Sequence, residues 1–200
     1  MTALPPRPAP NPFATRHTQP GSLPPLDAEG RPLELAPLAA RLSGLGRRSG
    51  AIVGPHGSGK TNLLVHLARL LAKTGHCVGP LRARSCRDTP GIVRAILRAP
   101  RGTTVCIDSW EQLGWPGRLA VRSAAAWRRT GLLVTSHRTT ELPTLIDCHT
   151  SRIVLERLVE RLPDAAGIPP GDIDDAFARH GGNLRDALAD LYDRFEARRP

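Results

Sequence analysis

A chain of 200 residues suits one domain, or one domain with a small appendage. Its 40% hydrophobic content supports a packed core, and aromatics at only 4% mean that Leu, Val, Ile and Ala must build it. No apolar run approaches a membrane span and the N-terminus shows no apolar signal core, so a soluble, cytoplasmic protein with no membrane partner is expected. The net charge of +10 rests on arginine, since Lys60 and Lys73 are the only lysines. Such an excess attracts nucleic acid or other polyanions. A compositional bias toward Arg, Ala, Pro and Gly explains it equally well, and no aromatic-interleaved basic surface or recognition motif accompanies the charge. The cysteines Cys77, Cys86, Cys106 and Cys148 form no C-x-x-C pair and read as buried thiols; Cys148-His149 lacks a second pair to complete a metal site.

Residues 1–32 are rich in proline and poor in apolar residues, which predicts a disordered, polyproline-like tail. A docking peptide for a protein partner is the functional alternative for this segment. Leucines at 35, 38, 42 and 45 predict a short helix before the apolar strand Ala51-Ile52-Val53. The stripe Leu63, Leu64, Leu67, Leu70, Leu71 predicts a helix ending at Gly75, followed by an edge-like strand within 76–85. A second helix carries Ile92, Val93, Ile96 and Leu97 and is closed by Pro100. Thr103 to Ile107 reads as a buried strand. Residues 116–129 read as a helix with Leu119, Val121, Ala124, Ala125 and Trp127 inward and the arginines outward. Strands are expected at 132–135 and 142–148, then helices at 155–162, 172–180 and 184–197. The alternation implies an α/β fold: a parallel sheet with helices on both faces, residues 33–150, followed by a helical subdomain, residues 151–200.

The most informative segment is Gly54-Pro55-His56-Gly57-Ser58-Gly59-Lys60-Thr61, which fits G-x-x-x-x-G-K-[ST] between a strand and a helix. Gly54, Gly57 and Gly59 let the backbone aim its N–H groups at a polyphosphate, and the following helix, opening with Asn62, points its positive end at the same anion. Lys60 would reach the β- and γ-phosphates and Thr61 would offer its hydroxyl to Mg²⁺. Asp108 ends the apolar strand Thr103-Thr-Val-Cys-Ile and is the expected second Mg²⁺ residue. Hydrolysis also needs a group to orient or deprotonate water. The position after Asp108 is Ser109, and Glu111 is the acid that lies close by; an exposed first-turn Glu is the plainer alternative. Thr135 and Ser136 end the next strand and would reach the attacking water or the γ-phosphate if that strand lies between those of Val53 and Asp108; a strand cap is the alternative.

Together the glycine-rich loop, the Asp108 strand, Thr135-Ser136 and the helical C-terminus resemble the additional-strand P-loop ATPases, and within them the AAA+ group. The segment Gly181-Gly182-Asn183-Leu184-Arg185 is similar to the turn that opens a lid helix there, with Asn183 as its cap. The resemblance spans residues 48–197 and also extends to small, uncharacterised bacterial P-loop ATPases. It implies a three-layer sandwich with strand order 5-1-4-3-2, a C-terminal lid, ATP and Mg²⁺ as ligands, and Arg185 as the lid arginine that contacts the γ-phosphate. It departs from the group at Ser109 and in having no room between Arg138 and Leu142 for the helix that carries an arginine finger, which puts a ring motor in doubt. Oligomerisation stays open, with Arg138 as the residue a second copy would receive.

Three functions follow. The first is an ATP-binding protein with Mg²⁺-dependent hydrolysis, a switch or loader working by closure of core and lid. The second is a nucleic-acid-associated adaptor that binds ATP with little turnover. The third, a small-molecule kinase, ranks last because the lid arginine sits at the C-terminus. A GTPase is not expected, since the guanine-reading Asn-Lys-x-Asp needs a lysine and none remains after Lys73.

Overall fold

The computed structural model describes residues 11–163 and 168–198. Its helices are α1 (Thr15–Thr18), α2 (Leu35–Gly44), α3 (Lys60–Ala72), α4 (Thr89–Arg98), α5 (Gly114–Arg128), α6 (Arg152–Val159), α7 (Pro170–Arg179) and α8 (Leu184–Ala197). Its strands are β1 (Gly50–Val53), β2 (Cys77–Arg82), β3 (Thr104–Asp108), β4 (Gly131–Ser136) and β5 (Thr144–Asp147). They form one parallel sheet in the order β2-β3-β4-β1-β5. The three inner strands are buried along their whole length, as strands covered on both faces must be. Side-chain alternation sends Ala51, Val53, Val105, Ile107, Leu132 and Val134 toward α4 and α5, and Ile52, Cys106 and Leu133 toward α2 and α3. Val53 pairs with Ser136 and Ile107 with Val134, so β1, β3 and β4 end at one edge of the sheet.

Helix α5 corrects the expected inward stripe. Its buried residues are Gly117, Val121 and Ala125, while Leu119 and Trp127 are exposed. Small residues win the buried positions because α5 lies close to α4: a Cβ on Gly117 would meet Thr89 Oγ1 at 2.6 Å. The thiols differ too, since Cys106 is buried but Cys86 is exposed.

Helices α6 to α8 close around Leu155, Val159, Ile173, Ala176, Leu188 and Leu191, and Phe13 and Leu23 from the N-terminal segment join that cluster. Residues 11–32 are therefore not the disordered tail that their proline content predicts; residues 1–10 lie outside the described residues. This strap crosses α3, where Asn62 Nδ2 donates to Leu23 O at 3.0 Å and Gly21 N donates to Asn62 Oδ1 at 2.7 Å. Arg69 donates to Gly21 O at 2.7 Å, and at the far end Asn11 Nδ2 donates to Tyr192 O at 3.2 Å. Proline fixes an extended path, and side chains of α3 and Asn11 satisfy the backbone groups left over. Among the described residues no helix is long and apolar enough to cross a membrane.

Candidate functional site

The loop from Gly54 to Gly59 leaves β1 and turns into α3. Its glycines have φ of 152° at Gly54, 72° at Gly57 and 81° at Gly59, so the backbone uses conformations that a side chain would strain. At Gly54 the space is also closed, since a Cβ would sit 2.4 Å from Cys148 O. Gly59 occupies the N-cap of α3 and no side chain caps that helix, so its first N–H groups are left for an outside acceptor.

Lys60 is buried beneath the loop. It donates to Gly54 O at 2.8 Å, to Pro55 O, and to His137 Nδ1 at 3.2 Å. Burial depresses its pKa, while nearby charges, Glu111 and Asp108 among them, pull it back up. On its other side the His137 ring meets Glu111, with Nε2 3.1 Å from Glu111 Oε1. Lys60 has only donors, so Nδ1 accepts and the ring carries its proton on Nε2. That neutral tautomer agrees with the depressed pKa of His137, which burial lowers first and the Lys60 charge second. The His56 ring lies over that of His137, centroids 3.5 Å apart and planes tilted by 31°. Glu111 Oε2 is buried with no hydrogen-bond partner among the described residues.

Asp108 ends β3 beside this chain of donors. Its Oδ1 accepts from Thr61 Oγ1 at 2.9 Å and from Thr135 Oγ1 at 2.7 Å, and Thr135 Oγ1 also accepts from Ser109 N at 2.8 Å. Insertion of β4 between β1 and β3 makes this possible, by setting Thr135 next to both neighbours. Ser136 is buried, and its Oγ accepts from Arg138 N at 3.3 Å. It fits a strand-end cap rather than a group facing Asp108. Ser58 Oγ donates to Pro55 O at 2.9 Å and closes the loop on itself.

Two expected residues are placed differently. Asn62 lies beside Ser58 and Gly59, but its side-chain amide is engaged by the strap, as described above. Arg185 lies exposed in the first turn of α8. That turn does abut the loop, through the cap: Asn183 Oδ1 accepts from Arg185 N at 3.1 Å and Asp186 N at 3.3 Å. A Cβ on Gly57 would fall 1.8 Å from the same Oδ1 and 3.1 Å from Leu184 N. Gly57→Ala therefore has to displace the cap of α8 as well as strain its own φ, costing about 2–3 kcal/mol from a lost cap plus a left-handed alanine. Faster proteolysis of α7–α8 than in wild type, with the α/β core still folded, is the expected readout.

The residues that sequence reasoning missed are His137 and, apart from the loop residues already singled out, the walls of a cavity of about 140 Å³. Leu26 and Leu33 from the N-terminal segment, Ser58 and Gly59 from the loop, Cys148 after β5 and Leu184 of α8 line it. Burial there pushes the Cys148 thiol up to about 11, so the thiol itself stays neutral, while Asp27 and Asp147 add carboxylates to the lining. The cavity needs the strap and the α8 terminus, which meet only in the folded chain. The signal for His137 was a polar residue directly after Thr135-Ser136, the same signal that singled out those two.

No protein-family model and no curated protein matches the chain. Among solved structures it is similar to AMPPCP-bound DnaA from Aquifex aeolicus, with a TM-score of 0.56 and 13% identity, over 86% of this chain and 63% of that one. The chain shares the α/β fold of that structure, a parallel sheet with C-terminal helices. At this identity the likeness carries the fold and nothing finer.

Proposed function

We propose that the chain binds ATP and hydrolyses it with Mg²⁺, as a switch or loader in which nucleotide draws the 33–150 core and the 151–200 lid together. The observation that supports it most is the convergence of Lys60, Thr61, Asp108, Thr135, His137 and Glu111 at the open N-terminus of α3. The donor set fits: a hydroxyl and a carboxylate, Thr61 and Asp108, suit a hard cation. Mg²⁺ held there would neutralise charge on the phosphates. The cavity against Ser58 and Leu184 suits a flat, largely apolar base.

The loop N–H groups and Lys60 take the phosphates. To do so Lys60 exchanges its loop carbonyls and His137 Nδ1 for phosphate oxygens. His137 then holds Glu111 through Nε2–H alone, and the free Glu111 oxygen orients the attacking water. Thr135 fixes the Asp108 carboxylate, and Arg185, on the turn beside Gly57, is the lid group that would sense the γ-phosphate. The adaptor reading with little turnover draws support from one fact: Glu111 does not follow Asp108 directly and is engaged by His137. Phosphate release from purified protein with ATP and Mg²⁺ separates the two. Glu111→Gln is expected to lower turnover by about 10²–10³-fold while leaving ATP affinity near wild type. Equal rates for the two proteins would reject Glu111 as the water-orienting group.

A further inference from the structure

Two of the chain's three tryptophans stand in solvent on one helix. On α5, Trp115 is 70% and Trp127 72% exposed, with Leu119 between them at 53%. The helix packs through Gly117, Val121 and Ala125 and needs neither indole for its core contacts. Large apolar side chains that a helix does not use for its own packing are available to a partner, and here they come with a distinctive charge pattern.

The charge on the two neighbouring helices is of one sign, with Glu141 an acid that approaches them, against Arg118. Helix α5 carries Arg118, Arg122 and Arg128, the neighbouring α4 carries Arg94 and Arg98, and neither helix has an acid. Across α6, α7 and α8 the balance reverses, with five arginines against eight acids. A compositional taste for arginine acts on the whole chain and does not clear the acids from two helices. Arg118 is tied to Gly114 O and Glu141, and Arg128 to Ala99 O. Arg94, Arg98 and Arg122 are exposed and make no hydrogen bond or ion pair among the described residues.

We propose that the α4–α5 face binds single-stranded nucleic acid, with Trp115 and Trp127 stacking on bases and Arg94, Arg98 and Arg122 taking phosphates. Positive charge tracking a backbone beside aromatic platforms is the chemistry that holds a single strand without reading its sequence. The two indoles are 12 residues apart, about 18 Å along the helix, which leaves room for several bases between them at ~3.4 Å per stacked step. A duplex hides its base faces and offers these indoles nothing to stack on. This corrects the expectation that no aromatic residues interleave with the basic charge, and it stands whether or not the chain hydrolyses ATP.

Tryptophan fluorescence of the full chain, titrated with a short oligo(dT), tests it directly, because Trp110 is fully buried and supplies a constant background. Saturable quenching that weakens with salt is expected, with duplex DNA binding at least tenfold more weakly. In an anisotropy assay with labelled oligo(dT), Trp115→Ala/Trp127→Ala is expected to lose at least tenfold in affinity with the salt slope unchanged. Arg94→Ala/Arg98→Ala/Arg122→Ala should flatten that slope by about 2. All five positions are exposed, so melting temperatures should stay at the wild-type value. Absence of binding, equal affinity for duplex, or full affinity in the double tryptophan variant would overturn the proposal. Poly-glutamate competing as well as oligo(dT) would also overturn it and assign the face to an acidic protein.

Discussion

Lys60→Ala is expected to lower ATP affinity by about 30–150-fold, equivalent to the ~2–3 kcal/mol of a lost charge-assisted contact to phosphate. The position makes this a clean test of binding. Lys60 is the one lysine in the sheet edge where β1, β3 and β4 end, and its ammonium is already held against the loop by Gly54 O, Pro55 O and His137 Nδ1. It reaches a bound anion by exchanging partners at one spot, without reordering a long side chain from solvent. The same contacts set the cost in the free protein. Alanine leaves the two carbonyls and the imidazole without their donor, so a drop of a few degrees in melting temperature should accompany the loss of affinity. Calorimetric titration with ATP, paired with a melt, reads both. Wild-type affinity in a folded Lys60→Ala protein would mean that the phosphates lie elsewhere.

Asp108→Asn should separate stability from activity. The carboxylate is buried, and the bonds it accepts at Oδ1 come from two neutral hydroxyls, Thr61 and Thr135. A buried charge without a cationic hydrogen-bond partner is costly, and the isosteric amide removes that charge while keeping an acceptor for both threonines. Each kcal/mol recovered would raise the melting temperature by about 2–4 °C in a chain of this size. Loss of the charge proposed to face Mg²⁺ should cut Mg²⁺-dependent turnover by about 10²-fold or more. A stability gain with loss of activity marks a residue kept for chemistry. If Asn destabilised the fold and turnover persisted, Asp108 would be a structural strand end.

What was legible in the sequence was local. The Gly54–Thr61 spacing, the acid after the β3 run and the Asn183 cap with Asp186 three residues on are each contained within one turn or one strand, where residue spacing and geometry coincide. The rest depended on what folding brings together. His137 gains its place only because β4 sits beside β1, which lays its ring between Lys60 and Glu111. Asn62 looks like one more loop residue until the strap arrives from 41 positions upstream to claim its amide. The strap itself was hidden by its prolines, which signal the absence of regular structure and say nothing about packing. Trp127 and Leu119 were misplaced because hydrophobic periodicity equates apolar with inward, whereas the close approach of α5 to α4 admitted Gly117 beside the expected Val121 and Ala125.

The central claim is that the inward-facing amides of the Gly54–Gly59 loop and Lys60 hold a triphosphate whose metal is managed by Thr61 and Asp108. Titration of the wild-type chain with a fluorescent ATP derivative, with Mg²⁺ and then with a chelator, tests it most directly. The account predicts saturable binding that unlabelled ATP displaces and that weakens when the metal is removed. Failure of ATP to bind the folded protein, or binding indifferent to both Mg²⁺ and Asp108→Asn, would contradict it.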